Sequence, residues 1–107
     1  MANDFKNAQA VGVTGVTTVY TAPALKDSII LELDIANTTT SAVTASAELV
    51  DTSAGTDAYI VKDAPIPVGG SLQVVSGQKI IVETTDIVRV TASGACDVIC
   101  SVLEDVN

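Results

Sequence analysis

The sequence predicts an all-β fold, an antiparallel β-sandwich or jelly-roll-like barrel of about seven to nine short strands. Three observations predict it. Apolar and polar residues alternate with a period of two wherever a period can be read. Turn-prone clusters of Gly, Pro, Asn, Asp, Ser and Thr interrupt that alternation roughly every eight to twelve residues. No segment keeps the 3.6-residue period of an amphipathic helix.

The opening MANDFKNAQA is polar apart from Phe5 and has no strand period before Val11. Residues 1–10 therefore read as an N-terminal arm, with residues 11–107 as a single sandwich domain. So polar a segment cannot bury Phe5, the only phenylalanine, by itself. With Lys6 and Asn7 it forms the candidate partner-binding element, an anchor that orders on another protein's surface. On this reading, removing residues 1–9 leaves the thermal midpoint of the domain nearly unchanged but sharply lowers its binding to the partner surface.

The first strand is then VTTVYTA at 16–22. The clearest is SIILELDIA at 28–36, where Ile29, Leu31, Leu33 and Ile35 alternate with Ser28, Ile30, Glu32, Asp34 and Ala36. AVTASAELV at 42–50 repeats the pattern with Val43, Ala45, Ala47 and Leu49 on one face, and the polar NTTTS between the two reads as a hairpin turn. AYIVKDA, SLQVV, KIIVE, DIVRVTAS and CDVICSVLE complete the set. In APIPVGGSLQVVSGQKIIV, Pro65 and Pro67 cannot donate to a ladder, Gly69 and Gly70 permit a tight turn, and Gly77 marks the next hairpin corner. A phosphate cradle would need a lysine, a hydroxyl and a helix N-terminus after the glycines, whereas GGS leads straight into a strand.

Composition narrows the function. At 107 residues the chain fits one domain, and its 48% apolar content is mainly Val and Ala, with Phe5, Tyr20 and Tyr59 the only aromatics. Such small side chains make a thin core. A net charge of -8 repels phosphate backbones and anionic lipid, so neither nucleic acid nor a membrane is an expected partner. The opening has no basic start followed by an apolar run, and no stretch is long enough to span a bilayer; the chain is expected in the cytosol or in particles assembled there.

No cofactor, metal or catalytic residue is expected, and the chain does not read as an enzyme. It has no histidine, and nothing brackets Ser71, Ser76, Cys96 or Cys100 with a base. On one extended strand Cys96 and Cys100 lie roughly 13 Å apart, too far to bond, and they lack the spacing of a zinc site. Glu32 with Asp34 is read as a pair of solvated charges on the polar face of a strand, and Glu104 with Asp105 lies near the chain terminus. DTSAGTD at 51–57 lacks the ligand spacing and closing Glu of a calcium loop and reads as a surface turn. Arg89, opposite Val88 and Val90 in its strand, is expected to pair with a carboxylate of a neighbouring strand.

Five stretches resemble one family: TTVYTAPA at 17–24, LDIANTTTSAVT at 33–44, DAPIPVGGSL at 63–72, GQKIIVETTDIVRVTAS at 77–93 and DVICSVLE at 97–104. They are similar to small β-rich virion proteins of tailed bacteriophages, of the marine and cyanobacterial type. Two departures are that ETTD at 83–86 stands where a glycine-containing turn is often found, and that the cysteines replace residues more often aliphatic. The resemblance implies a capsid decoration (cement) protein bound to the outer surface of the head, or else a tail, neck or baseplate component. Its implied partners are the major capsid protein or other virion proteins, and its implied location is the virion, assembled in the host cytoplasm. A homotrimer or other homo-oligomer is expected because SLQVV, KIIVE and DVICSVLE carry apolar residues on both faces, leaving apolar surface once one core is filled. The reading from a different class is a carbohydrate-binding module, which would need Tyr20, Tyr59 or Phe5 as a platform for sugar rings.

Overall fold

The computed structural model describes residues 3–106. Among them there is no helix, and eight strands run in the order β1 (Asp4–Val13), β2 (Thr17–Thr21), β3 (Ser28–Asn37), β4 (Val43–Asp51), β5 (Thr56–Ile66), β6 (Ser71–Val82), β7 (Ile87–Ala92) and β8 (Cys96–Glu104). They form two four-stranded antiparallel sheets, β1-β8-β3-β6 and β2-β7-β4-β5. The fold is the predicted β-sandwich. Pairs 1·8, 2·7, 3·6 and 4·5 nest one inside the next, which is the winding of a jelly roll.

The core lies between the sheets. Leu33, Ile35, Val75, Val98 and Val102 of the first sheet face Ala45, Ala47, Ile66, Val88 and Val90 of the second, all essentially without solvent contact. Cys96 and Cys100 sit on the same inner face of β8, both free and buried. Burial pushes the Cys100 thiol up to about 12, so it stays protonated and unreactive at neutral pH.

Three sequence expectations are corrected. Residues 4–10 are no arm: they belong to β1, paired residue by residue along β8 from Asp4–Glu104 to Ala10–Val98. Met1 and Ala2 of the expected arm lie outside the described residues. Gly77 is no hairpin corner. SLQVV and the KIIV of KIIVE are one twelve-residue strand, and Gly77, at φ 110°, lies where β6 places Gly77, Gln78 and Lys79 opposite Leu31 alone between the Glu32–Ser76 and Ile30–Ile80 pairs, a bulge that glycine permits. Finally, β3 and β4 do not form a hairpin, because the chain crosses from the first sheet to the second between them. The buried Asn37 fixes that crossing: its amide donates to Ser41 O at 2.8 Å and Ile66 O at 3.1 Å, while its carbonyl accepts the Thr39 N–H at 2.9 Å.

The other corners behave as the sequence predicts. Pro65 lies in β5, an edge strand, and Pro67 opens a turn closed by the Gly70 N–H donating to Pro67 O at 2.9 Å, with Gly69 at φ 72°. The ETTD turn takes the glycine-like conformation without glycine, since Thr85 stands at φ 66°. Arg89 pairs across two strands, at 3.3 Å to Glu48 on β4 and 2.9 Å to Asp57 on β5.

Candidate functional site

The outer face of the first sheet departs from an ordinary solvated surface. Cross-strand register places Phe5 beside Leu103, Leu103 beside Ile29, and Ile29 beside Ile81, one residue from each of the four strands. This is an unbroken apolar row across the sheet, about 14 Å wide at the usual ~4.8 Å strand spacing. Phe5 is 77% exposed and Ile81 57%. Between Ile30 and Glu32 the register of β3 slips against both neighbours, which leaves Leu31 and Glu32 together at the exposed side instead of on opposite faces. A shallow groove of about 330 Å³ opens there, lined by Phe5, Lys6, Asn7, Leu31, Ser101 and Val102.

Phe5, Lys6 and Asn7 all border this groove, but on a paired strand and not on a flexible segment. Phe5 and Asn7 are aligned with the outward-facing Leu103 and Ser101, whereas Lys6 opposes the buried Val102 on the inner side of the sheet edge and its side chain stays 57% exposed. Its Nζ meets Glu104 Oε1 at 3.0 Å. Glu104 is buried, not solvated, and its other oxygen accepts the Tyr20 O–H at 2.6 Å, while the Tyr20 and Ser28 hydroxyls are 2.8 Å apart. The network joins β1, β8, β2 and β3, and so ties both sheets together at one end. The Tyr20 hydroxyl above all, and then Lys6, hold the Glu104 carboxyl below its ordinary value against the opposing effect of burial. Burial and the Glu104 contact raise Tyr20 in turn.

Below the apolar row the outer face is mostly polar around a half-exposed Ile99. Glu32 lies between Ser101 and Ser76, and Asp34 between Ile99 and Gln73. Asp34 Oδ1 is shielded from solvent and meets no hydrogen-bond donor. Burial, and then the Glu32 carboxyl beside it, push Asp34 up to about 6. These two carboxylates are thus not the independent solvated charges that alternation alone implies.

Elsewhere the chemistry is structural. Asp51 accepts from Ser53 Oγ and the Ala54 N–H within the DTSAGTD turn, while Asp57 is held by Arg89. Ligand atoms of Asp51, Glu83 and Asp86 come within 4.8 Å of one another, a grouping that sequence spacing does not reveal because the end of β4 and the β6–β7 turn supply it. The buried Asp86 spends its oxygens on protein donors, the Thr52 N–H at 3.0 Å and the Glu83 N–H at 3.2 Å. The aromatics form no common platform: Tyr20 is buried, Phe5 lies on β1 of the first sheet, and Tyr59 on β5 of the second stacks under Lys62 at 4.7 Å. In the β2–β3 connection Leu25 is 97% exposed at φ 66°, its N–H held by Thr84 Oγ1 at 2.7 Å. No family model matches the chain, and no curated protein matches it either.

Proposed function

We propose that the chain is a structural component of a phage particle, a decoration (cement) protein that docks on the outer surface of the head in many copies, as a homotrimer or other homo-oligomer. The observation that carries this reading is the apolar row Phe5–Leu103–Ile29–Ile81, laid across a rigid sheet of a strongly acidic domain. The sequence resemblance supports it. The jelly-roll winding supports it by analogy only, because viral capsid domains share that architecture with lectins and cupins.

Copy number tests the reading. Gel densitometry of purified particles should return hundreds of copies per particle. A dozen or fewer moves the chain to the tail, neck or baseplate, and absence from the particles overturns the reading altogether.

A further inference from the structure

We propose that the outer face of the first sheet receives a protein surface carrying apolar side chains with an arginine among them, the apolar groups on the Phe5–Leu103–Ile29–Ile81 row and the arginine against Glu32 and Asp34. The inference rests on the reading above for where the partner is found, not for its chemistry.

Charge complementarity carries it. None of the five cationic side chains forms an ion pair with these carboxylates: Lys6 is on Glu104, Arg89 on Glu48 and Asp57, Lys62 over Tyr59, Lys26 in the β2–β3 connection, and Lys79, in the bulge near Glu32, turns to the Gly77 carbonyl. The residues registered beside the two carboxylates are Ser101, Ser76, Ile99 and Gln73, none of them charged. Two carboxylates side by side with no cation on them repel each other, and a cation brought by a partner relieves that repulsion. Arginine suits the place better than lysine, because its planar fork can serve two carboxylates at once and is weakly hydrated beside apolar groups. A second copy of this chain fits poorly, since face-to-face packing would oppose the same carboxylates on two molecules each of charge -8. The bulge that moves Leu31 onto the outer side adds one more apolar group where the row meets the carboxylates.

The test titrates the full chain at pH 7.5 with acetyl-Leu-Arg-Leu-Arg-Leu-amide and with its Arg-to-Glu counterpart, followed by amide NMR shifts. The arginine peptide should bind about two- to fivefold tighter, as one modest charge pair implies, with shifts confined to β1, β3, β6 and β8. Glu32→Gln with Asp34→Asn should abolish the preference, whereas the equal charge change Asp63→Asn with Glu83→Gln should leave it in place; retained circular dichroism shows that both variants fold. A preference that survives the first pair, or shifts that map to the second sheet, overturns the inference. So does self-association that Ile81→Lys abolishes and the Glu32/Asp34 variant strengthens, which would give the face to a second copy. Stripped particles separate the two claims. Particles that bind wild type and the Glu32/Asp34 variant alike leave the virion reading standing and sink this one; a wild-type chain that keeps its peptide preference but ignores particles does the reverse.

Discussion

Replacing Tyr20 by Phe removes one oxygen and leaves the ring in place, so the loss measures the buried network and not a cavity. In the native protein that oxygen donates to Glu104 at 2.6 Å and lies 2.8 Å from the Ser28 hydroxyl, with Glu104 also held by Lys6 at 3.0 Å. A hydrogen bond to a buried charge contributes roughly 1.5–3 kcal/mol, and Ser28 is stranded without its partner, so a total near 3 kcal/mol is expected. For a domain of this size, with an unfolding entropy of about 2.1 cal/mol/K per residue, that lowers the thermal midpoint by roughly 13 °C. The pH dependence has a definite sign. The folded Glu104 carboxyl titrates below its ordinary value of 4.5, so its stabilisation is fully present above that value and is lost as pH falls through the folded one. Urea unfolding followed by circular dichroism at pH 7 and again across pH 5 to 3 should therefore show the gap between wild type and Tyr20→Phe narrowing in acid. A loss under about 0.5 kcal/mol at pH 7, or a gap unchanged in acid, would refute the network's role.

Two further predictions concern stability. Deleting residues 1–9 should lower the thermal midpoint by well over 10 °C, because it removes most of β1, bares the β8 edge and strips Lys6 from Glu104; a midpoint within 2 °C of wild type would restore the arm. Thr85→Gly should raise stability by about 0.5–1 kcal/mol by relieving a β-branched residue at φ 66°, less the small loss of its exposed hydroxyl contact with Thr52; calorimetry showing destabilisation would mean that the hydroxyl matters more than the backbone strain.

Strand positions from VTTVYTA onward were legible from alternation, but the face of β3 was not: its bulge puts Ile30 in the core with Leu33 and Ile35, and leaves Ile29 and Leu31, expected beside them, on the outer side. Nor was β1 legible, and its pattern explains why. Lys6, Ala8 and Ala10 stand on the inner side and Phe5, Asn7 and Gln9 on the outer, so the bulkiest apolar group faces away from the core and the inner side carries an exposed cation and two alanines. An inward-pointing charge on an edge strand discourages unwanted pairing, and it also erases the period that identifies a strand. The split at Gly77 and the supposed β3–β4 hairpin failed for another reason: glycine marks a bulge as readily as a corner, and NTTTS holds no local sign that the chain is changing sheets. The apolar outer face was legible in outline, since β6 and β8 carry apolar residues on both faces. The link from Tyr20 to Glu104 was not, because the two residues are 84 positions apart and nothing local couples them.

The nested winding also dictates how the chain must fold. Only the β4–β5 pair is joined by a short turn; β3 must find β6, β2 must find β7, and β1 must find β8 across about a hundred residues. Loop-closure entropy opposes each wider pairing until the inner ones have shortened the path, so assembly should spread outward from β4–β5, with β1 settling last and folding times in the millisecond-to-second range of non-local β topologies. During that interval β8 and β3 stand together with a bare edge, and the strand that carries Phe5 and Lys6 is both the one that closes the first sheet and the one whose late arrival leaves the chain most open to mispairing.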